Sequence, residues 1–384
     1  MLPTQDSHFL RLQFLFSAFL LSVSLLSGCS PFYILRAAYE EGKILWRREP
    51  IESVLQRPDL DPETQEKLRL VLSVREYARD VLKFRVGGSY ASYSYVDRKA
   101  LSYVLTAAPK TDLTPYTWWF LFVGRVPYKG FFSEEAVKTE AESFHAQGYD
   151  TYVRATSAFS TLGWFDDPLL AHLLRYDKIT LAEVIFHELL HNTLFVSGAV
   201  DFNESLANFV GNQAAILFFR DRYGEGSSEH QRAVRAWKEE LEFSAFIAQV
   251  ARSLRDLYKK ELAEDEKLRL REEIFSQSKE EWSHRIAGRP AHRFRGYSQQ
   301  PVNNAVIAHY LLYLRDFELF ESLYEAQGND LAKSVELIEK SVRGDADPFK
   351  SVRGLMQKKE QADSVHQGQN GSEEQIKENR RLPP

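Results

Sequence analysis

Cysteine is almost absent from this 384-residue sequence: Cys29 is the only one, so no disulfide can form within the chain. An excess of positive charge is also absent, because the formal net charge is −5. The chain therefore has no general attraction for polyanions, and we expect no nucleic-acid partner. Apolar material is abundant, since 44% of the residues are hydrophobic and 13% aromatic. This composition predicts a folded core rather than a disordered chain.

The single cysteine follows the only long apolar run, which extends from Phe14 to Leu26 behind the basic residue Arg11. The small residues Ser27 and Gly28 lead directly into the cysteine, in the segment Leu26-Ser-Gly-Cys29. This arrangement resembles a bacterial lipoprotein signal peptide, in which the mature chain begins at a lipidated Cys29. The alternatives are a transmembrane anchor or a buried helix, but a run of about 13 residues is short for a membrane span. We expect an exported protein held on the lipid bilayer by acylated Cys29, at the outer membrane, its periplasmic face or the cell surface.

Periodicity predicts helices at both ends of the chain and strands between them. Amphipathic spacing indicates helices over 33–55 and 62–81, the second one opened by Asp61 and Pro62. Aromatic and β-branched residues predict strands at 90–95, 101–105, 118–123 and 151–161. Helices are predicted over 134–147, 169–174, 201–219, 228–285 (more than one), 301–324 and 330–342.

One stretch carries a pattern with a chemical mechanism: His187, Glu188 and His191 form H-E-x-x-H. On a helix the two histidines lie one turn apart on the same face, so both imidazoles can reach one metal ion. Glu188 is placed to take a proton from a water molecule that the metal activates. Thr180 followed by Glu183 predicts a capping box at the start of this helix.

A catalytic zinc usually has three protein ligands, so a third is required. Leu194 and Ser197 occupy the positions where the extended metzincin pattern needs glycine and histidine, which excludes that arrangement. Glu204 is the best candidate, because a loop through Gly198 lets the next helix return and present an early carboxylate. That helix is expected to begin at Asp201 or Asn203. Asn208, one turn beyond Glu204, is predicted to hydrogen-bond a histidine ligand.

Other polar side chains are candidates for stabilising negative charge in the transition state. Tyr128 and Tyr310 are the two that we select for this role. Each candidate also has a purely structural interpretation, and the sequence leaves the choice open. The wider set is Tyr128, Tyr152, Arg154, Tyr297 and Tyr310.

Several segments together resemble one protein family, the bacterial "predicted aminopeptidase" family of exported or lipoprotein, gluzincin-like zinc peptidases. The similar segments are 32–51, 114–132, 158–170, 187–196, 202–211 and 301–324, so they cover nearly the whole mature chain. The resemblance implies a Zn²⁺ ion on His187, His191 and Glu204, with Glu188 as the general base. It also implies that Thr151–Thr161 is the edge strand along which a peptide substrate lies.

We therefore predict an α+β, gluzincin- or zincin-like metallopeptidase, with a mixed sheet before the H-E-x-x-H helix and a mainly helical C-terminal half. Its expected activity is zinc-dependent peptide-bond hydrolysis, as an aminopeptidase. The alternatives are a zinc endopeptidase of the same fold, or a non-catalytic envelope lipoprotein with a structural metal site. The predicted organisation is a signal peptide at 1–28, a single metallopeptidase domain at 29–357 and a disordered polar tail at 358–384. Within the domain we distinguish N-terminal helices (29–83), the sheet with the zinc-site helices (84–225) and a helical part (226–357).

Overall fold

The computed structural model describes residues 39, 42–95, 102–120, 124–156 and 166–357. The predicted signal peptide, Cys29 and the predicted tail lie outside these residues. The helices are α1 (42–46), α2 (Ile51–Val54), α3 (Pro62–Asp80), α4 (Glu134–Ala146), α5 (Lys178–Thr193), α6 (Val200–Tyr223), α7 (Ser228–Tyr258), α8 (Glu264–Arg285), α9 (Gly296–Gln299), α10 (Asn304–Tyr313), α11 (Phe317–Ala326), α12 (Leu331–Val342) and α13 (348–357). The strands are β1 (Glu49–Pro50), β2 (Ser92–Ser94), β3 (Ser102–Pro109), β4 (Trp118–Phe120), β5 (Gly124–Val126), β6 (Lys129–Phe131), β7 (Tyr149–Thr156) and β8 (Leu169–Leu170).

The prediction of an α+β fold with a helical C-terminal half is confirmed, but the single mixed sheet is wrong. The described strands form three small sheets, in the orders β1-β2-β8, β6-β3-β7 and β4-β5. Only the first of these is mixed, because β2 pairs antiparallel with β1 and parallel with β8. β7 runs antiparallel to β3 over its whole length and lies at the edge of its sheet.

Two helical predictions also need correction. The segment 169–174, expected to be an α-helix, forms the short strand β8 followed by a 3₁₀ helix at Ala171–Arg175. The predicted helix over 301–324 is two helices, α10 and α11, separated by Asp316 in the left-handed region (φ 56°). Helix α10 ends at Tyr313, and Asp316 is the N-cap of α11, so this conformation, which is unfavourable for a residue with a side chain, lies in the break between the two helices.

The core of the described chain is centred on α5 and α6. Fully buried side chains on these helices include Leu181, Phe186, Phe202 and Phe209, and they belong to one apolar cluster with residues of α3, α7, α11 and α12. A smaller cluster under the β6-β3-β7 sheet contains Leu105 and residues of α4. Both helices are thus packed on several sides, which makes them a rigid support for side chains at their ends.

A buried ion pair fixes β7 against the helical half. The carboxylate of Asp150 accepts hydrogen bonds from Arg271 of α8 at 2.7 and 3.2 Å, and from the backbone N–H of Asn304 at 3.1 Å. The side chain of Asn303 caps α10 and also donates to the carbonyl of Thr151 at 3.0 Å. These bonds hold β7 beside α10, so that residues of both elements can reach the same site.

In the part of the chain that the structure describes, no helix combines the length and the hydrophobicity that a membrane crossing requires.

Candidate metal and active site

The helix that carries the H-E-x-x-H pattern begins earlier than the capping box predicts. Asp177 is the N-cap, and its carboxylate accepts hydrogen bonds from the backbone N–H of Ile179 and from the hydroxyl of Thr180. Glu183 is not part of a capping box, because its carboxylate is buried and paired with Arg293 at 2.6 Å. The prediction failed because an aspartate three residues upstream competes for the same backbone groups.

The next helix, α6, begins at Val200 and not at a side-chain cap at Asp201 or Asn203. Gly198 lies in the connecting turn with φ +79°, a conformation that glycine adopts without strain. The amide of Asn203 instead bonds both backbone groups of Val196, at 2.9 and 2.8 Å. This double hydrogen bond ties the loop to α6 and fixes the position of Glu204 in its first turns.

The three predicted metal ligands lie together. The Nε2 atoms of His187 and His191 are 3.2 Å apart, and Oε2 of Glu204 is 3.3 Å from the first and 3.9 Å from the second. One ligand atom from each residue lies within 4.8 Å of the others. His191 is buried, and the side chains of His187 and Glu204 are only 14% and 10% exposed. Two imidazoles and one carboxylate in this arrangement are a known donor set for catalytic zinc.

Electrostatics also suit a cation at this point. Burial raises the pKa of Glu204, but the hydrogen bond from His187 and the neighbouring positive groups outweigh burial and lower it. Burial lowers the pKa of His191 to about 4, which keeps this imidazole neutral. An ionised carboxylate and a neutral imidazole are the forms that bind metal.

A buried polar network supports the face of α5 that precedes His187. Arg293 donates to Glu183 and, at 3.0 Å, to Glu240 of α7. Asn208 donates to Glu240 and, at 3.3 Å, to the backbone carbonyl of Tyr313. The prediction that Asn208 bonds a histidine ligand is therefore wrong among the described residues. Asn208 instead holds α7 and α10 against α6.

The loop after α3 packs on the other end of α5. The hydroxyl of Thr193 accepts a bond from the N–H of Arg85 at 2.9 Å, and Asn192 donates to the hydroxyl of Ser89 at 3.0 Å. Tyr90 follows in the left-handed region with φ +58°, and its side chain is buried. Burial, together with the charge of Glu188, raises the pKa of Tyr90. Strained backbone of this kind is concentrated at functional sites, yet no sequence pattern indicated this residue.

Tyr128 lies close enough to the His-His-Glu cluster for the charge of Glu204 to act on it. It packs with Tyr313 on a small apolar cluster of Val126, Val200 and Leu312, next to the start of α6. Burial, followed by the charge of Glu204, raises the pKa of Tyr128 well above its ordinary value. The phenol therefore remains protonated and can donate a hydrogen bond.

Tyr313 was not predicted, but backbone hydrogen bonds place it in the site. The hydroxyl of Ser205 donates to the carbonyl of Leu312 at 3.1 Å and accepts from the N–H of Arg315 at 3.1 Å. These bonds attach the end of α10 to the residue that follows Glu204. Arg154 of β7 then donates from Nη2 to the phenol of Tyr313 at 3.0 Å.

The remaining tyrosine candidates lie elsewhere. Tyr310, selected for the same role, accepts a bond from Gln300 at 3.2 Å and packs edge-on against Phe243. Tyr297 is fully buried and shares a hydrogen bond with Ser278, whereas Tyr152 packs on His309. The helix that carries Tyr310 does contribute a tyrosine to the site, but this tyrosine is Tyr313, three residues later. Only the docking of α10 on α6 determines which of the two does so.

The fold and the site define an α+β protein with a His-His-Glu cluster that could hold a metal ion. Comparison with protein families gives a match to the family described as "Putative aminopeptidase", over residues 32–347. The chain belongs to this family. A search of curated proteins and a search of solved structures each found no match.

Proposed function

We propose that the protein is a zinc-dependent peptidase that removes amino-terminal residues from peptides. The observation that carries the proposal is the convergence of His187, His191 and Glu204 within 4.8 Å, with Glu188 following the first ligand in the chain. Membership of an aminopeptidase family supports the choice of peptide substrates. A purely structural metal site would have no use for a general base at Glu188.

The three ligands would hold one Zn²⁺ ion, which supplies a Lewis acid that polarises the scissile carbonyl and acidifies water. Glu188 accepts the proton of the attacking water and returns it to the leaving amine. The carboxylate can do both because it lies beside the ligands on the same turn of α5.

Tyr128 and Tyr313 provide hydrogen-bond donors close to Glu204. Burial raises the pKa of both phenols, and the charge of Glu204 raises it further. A phenol that stays protonated can donate to the carbonyl oxygen as negative charge develops on it, a contribution that is typically about 10²-fold or more in rate.

The proposal includes tethering to a membrane. Residues 9–29 resemble a lipoprotein signal peptide ending at Cys29, and this segment lies outside the described residues. Acyl chains on Cys29 would place the catalytic residues next to a bilayer, on the exported side. Mass spectrometry of the mature amino terminus tests this part, because an unmodified Cys29 would contradict it.

The activity is tested with the full chain loaded with zinc. We expect one zinc ion per chain and hydrolysis of amino-acid arylamides. Glu188→Gln should keep the zinc and lose about 10²- to 10⁴-fold in rate, as expected for a general base. A Glu188→Gln variant that keeps both zinc and full activity would defeat the assignment.

The choice of substrate also distinguishes an aminopeptidase from an endopeptidase and from a protein with a structural metal site. Internally quenched peptides with blocked amino termini are expected to resist cleavage, and their rapid cleavage would identify an endopeptidase instead. A chain that binds zinc and cleaves neither class of substrate would be a structural metalloprotein.

A further inference from the structure

The site contains a positively charged side chain, that of Arg154, to which the proposed mechanism assigns no role. Arg154 is on the edge strand β7, where its backbone pairs with Val104 of β3. Its guanidinium donates to Tyr313 at 3.0 Å and lies 5.6 Å from the centre of that ring. Its charge also interacts with Glu204 and Tyr128. Arg154 therefore belongs to the same cluster as the metal ligands.

Part of this guanidinium has no partner within the described chain. Nε of Arg154 is fully buried, and none of the described residues accepts a hydrogen bond from it. Nη2 carries two hydrogens, of which Tyr313 takes one. Nε and the second Nη2 hydrogen form the edge of a guanidinium that matches the two oxygens of a carboxylate.

The unpartnered edge of this guanidinium also favours an anionic partner. With a divalent ion bound, Glu204 and Glu188 would offset the charge of the ion and would not also serve as the counter-ion of Arg154. The carboxylates of Glu183 and Glu240 are hydrogen-bonded to Arg293 and not to Arg154. A buried positive charge without a counter-ion is unfavourable, so a bound negative group would be stabilised here.

We propose that Arg154, positioned by its hydrogen bond to Tyr313, binds the carboxy-terminal carboxylate of a short peptide. This inference rests on the proposed function and names its substrate class. One peptide residue spans about 3.5 Å, so a carboxylate held near the ligands belongs to the residue one or two positions after the scissile bond. The preferred substrates are then dipeptides and tripeptides with free carboxy termini, from which the enzyme releases the amino-terminal residue.

Binding is measured separately from hydrolysis, in the zinc-loaded Glu188→Gln variant of the full chain. The probes are alanyl-alanine, leucyl-alanine and phenylalanyl-alanine, each as the free acid and as the carboxy-terminal amide, by isothermal titration. We expect at least one free acid to bind about ten- to a hundredfold more tightly than its amide, the usual effect of a hydrogen-bonded charge pair. Adding Arg154→Gln to this variant should reduce the acid-to-amide ratio to about one, whereas Arg154→Lys should restore part of it.

Arg125 provides the matched control, because it is an exposed arginine on β5, a strand of a different sheet. Arg125→Gln should leave the acid-to-amide ratio unchanged. Equal binding of acids and amides, or no measurable binding of any free acid, would overturn the proposal even if arylamides are hydrolysed. A role confined to the transition state would lower the rates on acid and amide equally and leave the binding ratio intact, and this result would also overturn it. Failure of the proposed function would look different, since acids would still bind selectively while none of them is cleaved.

Discussion

The pKa values of the two histidines of the site are shifted in opposite directions. Burial lowers the pKa of His191 to about 4, and the opposing charge of Glu204 does not compensate. Burial acts in the same direction on His187, but the hydrogen bond to Glu204 and the charge of Glu188 outweigh it and raise its pKa. In the metal-free protein His191 is therefore already in its ligand form, whereas a proton on His187 competes with the metal.

The shifted pKa of His191 predicts a dependence of stability on pH in the metal-free protein. Between pH 6.5 and about 4, His191 is protonated when unfolded and neutral when folded, so the free energy of unfolding falls as the pH falls. A shift of this size corresponds to about 3 kcal/mol over the whole window. Urea unfolding of chelator-treated protein between pH 7 and pH 5 measures the effect, and His191→Gln should remove this part of the slope.

The comparison has to be between the wild type and the variant, because other groups titrate in the same window. Burial also lowers the pKa values of His309 and His292, and these two contribute with the same sign. Glu204 has a lowered pKa, so its contribution is lost only at lower pH, below the normal range of a glutamate. Identical pH slopes for the wild type and His191→Gln would contradict the prediction.

At the scale of single residues, the sequence alone was sufficient to predict which three side chains form the His-His-Glu cluster, and insufficient to predict the surroundings of that cluster. His187, Glu188 and His191 are fixed by local spacing on one helix, and Glu204 follows after one short loop. Arg154 and Tyr313 lie 159 positions apart in the chain and meet through the packing of β7 on α10. No local pattern encodes such a contact.

At the scale of elements, the close approach of α5 and α6 depends on one glycine. A Cβ atom on Gly211 would lie 2.8 Å from the carbonyl oxygen of Glu183, and 3.3 Å from both Cβ and the backbone nitrogen of His187. The first distance is shorter than real Cβ contacts, and the contact is with backbone, which cannot rotate away. The helices are thus in direct backbone contact beside His187, the first of the proposed metal ligands.

Gly211→Ala should therefore move the two helices apart. We expect a loss of about 1–3 kcal/mol in the free energy of unfolding, because overpacking exceeds the roughly 1 kcal/mol gained in helix propensity. Zinc affinity should fall as well, since His187 is on α5 and Glu204 on α6. Chemical unfolding and zinc titration against a competing chelator measure the two effects.

Gly354 supplies the matched control for this substitution. It lies in helix α13, and a Cβ atom there would have no neighbour within 4 Å. Gly354→Ala should leave zinc affinity unchanged and should be neutral or slightly stabilising. If Gly211→Ala behaved in the same way as this control, the close packing would have no role in the site.

The elements themselves were predictable where local signals agree. Helix α3 has the predicted Asp61 cap and Pro62 at its first position, and the helix predicted over 330–342 is α12, with Asp330 as its N-cap. Errors occurred where longer-range contacts decide the outcome. Glu183 matched a capping box but is bound by Arg293, 110 positions away. Leu169 and Leu170 form a strand because Tyr93 and Ser94 supply its partners.

At the scale of the whole molecule, the ligands connect the two helices around which the main core is built. Both α5 and α6 contribute many buried residues to that core. A metal ion held by His187, His191 and Glu204 would therefore crosslink the centre of the fold rather than a surface loop. Any ion that binds the folded chain and not the unfolded chain stabilises it by mass action.

Zinc is thus predicted to raise the thermal stability of the whole protein. At a free concentration 100 times its dissociation constant, zinc should add about 2.7 kcal/mol to the free energy of unfolding, provided that the unfolded chain does not bind it. Thermal unfolding with zinc and with a chelator measures the difference. The Glu188→Gln variant should keep this difference, because Glu188 is not a ligand, whereas Glu204→Gln should lose most of it. If both variants kept the full difference, the stabilising ion would bind at a different site, and Glu204 would not be a ligand.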